Sequence, residues 1–277
     1  MGFKTNLFCG VATMALFATQ SYAGDIFNPD GELPAVSGVN GKLEGSGGFF
    51  DDEGRVSATG SFTLPIGHDF GAQLDGRIGD YGGDFTGGVA GHFFMRDPSA
   101  YLLGASAMYQ SVDSNDIFRI GPEVEFYLGR FSIEFWGGYE ESDAYDGEFF
   151  ATGDLAWYPG DNFRVSAGYT RTITLDAFQF GAEWLPQLDI GIPVSLFANA
   201  QIGENSYESV WAGIRFYFGS APDKSLIRRH REDDPSAKFD KLERVAECDP
   251  TIVLDAISED ALLDSCGNKV PKGPKAK

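Results

Sequence analysis

The chain has 277 residues, 36 of them Gly and 24 Phe, and its 41 acidic residues against 21 basic ones give a net charge of −20. A chain this negative is repelled by phosphodiester backbones, which excludes a nucleic-acid partner. No stretch of 18 consecutive apolar residues occurs, which excludes a membrane-spanning helix.

In chain order, residues 1–23 come first, with one cation at Lys4, an uncharged core from Leu7 to Ala18, and the ending Ser21-Tyr22-Ala23. Small residues one and three positions before a cut complete the layout of a secretory signal. Its core is too short to cross a bilayer of roughly 30 Å as a helix. The mature chain is therefore expected to begin at Gly24. Cys9 lies inside the signal, so it is not placed to become a lipid-modified first residue.

From Val39 to Phe218 apolar and polar residues alternate in segments of about ten. Val56, Ala58, Gly60, Phe62 and Leu64 share one face, and Arg55, Ser57, Thr59, Ser61 and Thr63 share the other. The pattern predicts an all-β fold of twelve strands, near 39–49, 55–64, 68–79, 84–95, 100–110, 116–128, 130–140, 147–158, 162–172, 175–184, 193–203 and 207–218. Their apolar faces carry no ionised group except Arg171, which sits near a strand end, where a charge facing lipid costs little. Aromatic residues cluster at the ends of those faces, as Tyr101 with Tyr109 and Phe131 with Tyr139 do. Such rings suit the two interfaces of a membrane. In lipid an open sheet edge leaves backbone groups unpaired, so a sheet of this kind has to close on itself. Pro122 interrupts one expected strand, where it has no N–H for the ladder.

The connections sort into two sets. "LPIG", "RDPSA", "LGR", "YPGD" and "LPQLDIGIP" read as turns, whereas five of the six alternate connections, among them "DDEG" and "EESDAYDGE", are acidic. One rim is thus expected to be built of turns and the other to be negative.

The last strand ends in "WAGIRFYF", where Gly213 is followed by aromatics at Phe216 and Phe218. This resembles the C-terminal assembly signal of bacterial outer-membrane β-barrels. Trp211 stands where that pattern usually has a polar residue, and 59 residues follow a strand that often ends the chain. The resemblance to porin-like and other small outer-membrane barrels covers residues 39–218. It implies a transmembrane antiparallel up-and-down barrel, insertion by the barrel-assembly machinery, and contact with outer-membrane lipid and lipopolysaccharide. On this reading 24–38 is a periplasmic N-terminal segment and 219–277 a periplasmic tail.

Inside such a barrel the polar face places Arg55, Arg77, Arg119, Arg164 and Arg215 with Asp75, His92, Glu123, Glu125, Glu134, Asp154 and Glu183. Two readings of this set stay open. The opposed charges line a selective pore for small solutes, or they neutralise one another in a filled interior, as a structural or surface-interaction barrel would have it. Phe94, Leu102, Met108, Trp136, Phe150 and Phe197 share the face and obstruct water. Two further alternatives are a membrane hydrolase with His92 as its base and a soluble periplasmic ligand-binding barrel. The chain carries no nucleophile motif, cofactor motif or calcium loop, so catalytic residues, cofactors and metals are expected to be none. The Gly-rich "GGDFTGGVAG" lacks a phosphate-cradle context and reads as a strand that allows close backbone approach.

After Gly219 the alternation stops. Residues 219–277 hold 11 basic and 12 acidic residues and read as polar coil with short helices near 236–247 and 250–263. Phe239, Leu242, Val245 and Ala246 form the apolar stripe of the first. Arg228, Arg229 and Arg231 are expected near lipid phosphates, and Cys248 and Cys266 are expected to pair in an oxidising compartment.

Overall fold

Alternation puts every second side chain on one side of an extended backbone. In the computed structural model it carries the chain through β1 (Asn40–Phe50), β2 (Glu53–Ile66), β3 (Phe70–Tyr81), β4 (Asp84–Asp97), β5 (Tyr101–Val112) and β6 (Asn115–Leu128). The second half follows with β7 (Phe131–Ser142), β8 (Tyr145–Gly160), β9 (Phe163–Arg171), β10 (Asp176–Trp184), β11 (Val194–Gly203) and β12 (Glu208–Phe218). The structure describes residues 33–50, 53–112, 115–143, 145–173, 175–188, 190–203 and 207–241. The signal at 1–23, the helix near 250–263, and Cys248 with Cys266 lie outside them.

Each strand pairs antiparallel with its neighbours in sequence, and β1 pairs with β12 from Gly41↔Phe218 to Phe50↔Ser209. The result is a closed barrel of twelve strands, with no sheet edge left over. Several strands run further toward the acidic rim than their sequence suggests. β2 begins at Glu53 and β3 ends at Tyr81, each two residues beyond its expected end. Gly82 and Gly83, at φ 61° and 101°, turn β3 into β4. Pro122 does interrupt the ladder: β6–β7 pairing runs to Ile120↔Tyr139 and resumes at Glu123↔Trp136.

The two faces of the wall could hardly differ more in exposure. On β8, Phe149 is 63% exposed and its neighbour Phe150 is wholly buried. Val56, Leu74, Phe85 and Phe178 are likewise more than half exposed on the outside, while Arg55, Asp75, Arg77, His92 and Glu183 of the same strands are buried inside. A soluble barrel has the opposite polarity, and a continuous apolar exterior of this kind belongs in lipid. This removes the soluble ligand-binding alternative. Rings gather at both ends of the exterior, with Phe131 stacked on Trp157 near the turn rim and Tyr169 edge-on to Phe178 near the acidic rim. Phe216 and Phe218 join this outer face, whereas Gly213 faces inward, where a Cβ would meet the Phe197 ring at 2.6 Å.

The described segments that flank the barrel strands, 33–39 and 219–232, both lie at the turn rim. Ala35 N donates to His68 O at 2.7 Å, and Val36 packs inside the mouth against Phe94, Leu102 and Tyr127. On the other side Gly219, at φ 83°, turns the chain out of β12 into a short helix, α1 (Leu226–Glu232). The β8–β9 turn supplies the partners for the start of α1: Leu226 N donates to Asn162 Oδ1 at 3.1 Å and Ile227 N to Asp161 O at 3.1 Å. Leu226 is buried against Leu185 and Tyr217, and three basic residues occupy the last turn, where the helix dipole favours them.

Candidate functional site

The twelve charged residues singled out in the sequence all face the lumen, and they sort into local groups. Arg215 donates to Glu44 Oε2 at 2.7 Å and to Glu183 Oε2 at 2.6 Å. Glu183 also accepts from Ser195 and Tyr217, each at 2.6 Å. Arg164 donates to Glu134 at 2.7 Å, Gln179 donates to Asp154 at 2.9 Å, and Arg119 pairs with Glu140. Arg55 lies over the Phe50 ring, and Arg77 donates to Thr59 at 3.0 Å. Tyr127 donates to Glu125 at 2.8 Å.

His92 sits between two carboxylates, with Nε2 2.9 Å from Asp75 Oδ2 and Nδ1 3.0 Å from Glu123 Oε2. Both ring nitrogens are thus occupied. The candidate base presents no free lone pair to a substrate, which removes the observation that favoured a hydrolase.

Of the helix expected near 236–247 only residues 236–241 are described, and they do not form it. Asp233 to Ala237 are irregular, and a single turn of 3₁₀ helix follows at Lys238–Lys241. This segment enters the barrel. At the turn rim Asp234 pairs with Lys42, two residues into β1, and Lys42 Nζ also donates to Pro235 O at 2.9 Å. Gln73 reaches the same carbonyl at 3.2 Å while donating to Asp75 at 2.8 Å. Further in, Lys238 Nζ lies 2.7 Å from Glu123 Oε2 and 5.5 Å above the Trp136 ring. Phe239, wholly buried, packs with Ala90, Met108, Trp136 and Phe150 beneath the Arg77 guanidinium. Gly88 makes this possible: a Cβ there would sit 2.6 Å from the Phe239 ring and 2.8 Å from Tyr109 O. Gly88 is nearer the acidic-rim end of β4 than its turn-rim end, so residues 234–239 cross more than half of the lumen. The close approach read from "GGDFTGGVAG" is that of the chain's own tail.

What space is left is small. A cavity of about 70 Å³ lies between the segment and the far wall, bounded by Lys42, Asp154, Arg164, Glu183, Arg215 and His230. A second, of about 20 Å³, lies beside Lys238 among Glu123, Glu125, Glu134 and Trp136. Together they have room for a few water molecules.

Two of the three tail arginines are engaged by the barrel rim and its adjoining turn. Arg229 donates to Ser220 Oγ and Ala221 O at 2.5 and 2.7 Å, and Arg231 donates to Phe131 O at 2.9 Å and lies over Tyr127. Burial lowers the pKa of both guanidiniums. Arg228 is held in its charged form by the hydrogen bond to Glu232. Arg229 and Arg231 thus use hydrogen bonds to dock α1 to the rim, whereas Arg228 pairs with Glu232 within the helix. His230 was not among the sequence candidates for this wall, yet its Nδ1 is 2.9 Å from the Tyr158 hydroxyl and its Nε2 3.5 Å from Glu183. Lys42, Glu44 and Glu140 were also missed. The two-residue period placed them on the inner face, and that signal was sufficient to include them. Lys238 and Phe239 had no such signal.

No family model matches the chain, and no curated protein matches it. Solved structures similar to it include a KdgM porin, at 10% identity over 64% of this chain and 99% of that one with a TM-score of 0.48. The outer membrane protein Omp33 of Acinetobacter baumannii is 12% identical over 65% and 98%, with a TM-score of 0.44. The outer membrane phospholipase A of Escherichia coli is 12% identical over 67% and 94%, with a TM-score of 0.42.

Proposed function

We propose that this chain is an exported outer-membrane barrel whose polar lumen is a passive path for small solutes, closed in the resting state by its own residues 233–239. On this reading the barrel-assembly machinery inserts it among outer-membrane lipid and lipopolysaccharide, with the turn rim and α1 on the periplasmic side. The observation that carries it is the position of Lys238 and Phe239 inside the barrel, on a segment that contributes nothing to barrel closure, since the β1–β12 ladder ends at Phe218. A wall that accepts a removable polar segment is a lined path with an occupant. The opposed charges left on it would order the water and ions of an open pore.

Single-channel conductance separates this from a structural barrel with no pore. The full chain, refolded into planar bilayers, is expected to stay near baseline, and a chain ended after Glu232 to conduct continuously. A shortened chain that keeps heat-stable barrel structure and remains silent would show that the lumen is filled for support alone, and the structural reading would take its place.

A further inference from the structure

We propose that the place held by Lys238 is an ammonium-binding site of the lumen itself, so that the solutes this barrel admits are small organic cations with a primary amine beside an apolar group. The inference deepens the solute-path reading and rests on it. Glu123 is buried, with its side chain 1% exposed, and faces the Lys238 ammonium at 2.7 Å. The ring of Trp136 lies under the same ammonium at 5.5 Å, a geometry that attracts organic cations. Glu125 and Glu134 line the space beside it, Glu134 already paired with Arg164 and Glu123 also in contact with His92, so the Lys238 ammonium completes a carboxylate-rich site. Trp136 Nε1 is buried and has no acceptor among the described residues. Next to this site Ala90, Met108 and Phe150 make the apolar pocket that takes Phe239.

A carboxylate, an aromatic face and an apolar pocket in sequence are the elements that recognise an amine with a hydrocarbon portion, and Lys238-Phe239 fills them as a tethered copy of such a ligand. Stability alone does not call for this choice. A buried ion pair is often no better than an apolar filler of the same volume, because both charges must leave water. The wall already accepts rings one residue further on.

The test is complementation of a missing side chain by a free amine. Full-length Lys238→Ala, refolded in detergent, is melted with and without tens of millimolar n-butylammonium chloride, with sodium chloride at equal ionic strength and n-pentanol as controls. Ligand that binds only the native state raises the melting temperature, here by about 2–4 °C at saturating amine. The unsubstituted chain, whose site is filled, and the double variant Lys238→Ala/Glu123→Gln should show no such rise. Lys238→Ser gives the same measurement if Lys238→Ala refolds poorly. An equal response of all the chains, or none in Lys238→Ala, overturns the site. Melting needs no ion flow, so a barrel that binds butylammonium but never conducts would sink the solute path and keep the site. A conducting barrel without the thermal rise would do the reverse.

Discussion

The two walls of the lumen are filled by different means. Along β9 to β12 and β1 the wall draws mostly on its own side chains: Arg215 joins Glu44 to Glu183, Ser195 and Tyr217 also donate to Glu183, and from α1 only His230 approaches it, at 3.5 Å. Along β3 to β8 the wall has an apolar hollow at Ala90, Met108 and Phe150 and a carboxylate at Glu123, and the tail completes both. The first wall behaves as a core and the second as a receptor. Damage to one should cost stability, and damage to the other should cost closure.

Arg215→Ala gives the largest expected effect, because it removes the one cation that bridges two buried carboxylates. A buried pair broken on one side costs about 3–5 kcal/mol. Urea unfolding of the barrel should shift by that amount while bilayer conductance stays at baseline, and an open channel with unchanged unfolding would invert the assignment of the walls. Phe239→Ala comes next. Losing a buried ring is worth about 3 kcal/mol, here charged against the docked segment and not against the barrel. Protease cleavage within 233–241 should rise on the order of a hundredfold with the barrel's unfolding midpoint unmoved. The smallest effect belongs to Gly88→Ala, whose added methyl meets the Phe239 ring. Overpacking of one methyl costs about 1–2 kcal/mol, and brief openings of the channel should appear. If the same substitution is silent in a chain that also carries Phe239→Ala, the clash is with the ring and not with the Tyr109 carbonyl.

The same contrast governs what the sequence could reveal. Strand positions and the inward orientation of Asp75, His92, Glu123 and Arg215 follow from a period of two, a local property that survives in any window of ten residues. Even the weak seam at Pro122 was legible, because the missing N–H is written in the residue itself. The docked segment was not legible. "DDPSAKF" has no period, and the spacing of Phe239, Leu242, Val245 and Ala246 suggested a helix where the described part forms one 3₁₀ turn. The place of Phe239 is decided by a side chain that Gly88 lacks, 151 residues earlier in the chain. Pairings of that range leave no trace in a single sequence. The places of His230 and Arg231 were hidden for the same reason, since the partners that orient them, Tyr158 and Tyr127, lie on β8 and at the end of β6.

The anchoring of α1 sets a dose. Leu226 and Ile227 are fixed to the β8–β9 turn, and Lys224 ties the start of the helix to Asp233 at 2.6 Å, so the segment is released only one residue before it meets Lys42. A ligand on so short a leash is present at an effective concentration of millimolar order. A free amine competing for the same carboxylate has to approach that level before it displaces the tail. The barrel would then ignore traces and respond to abundance, with a threshold set by the length of chain between Glu232 and Lys238.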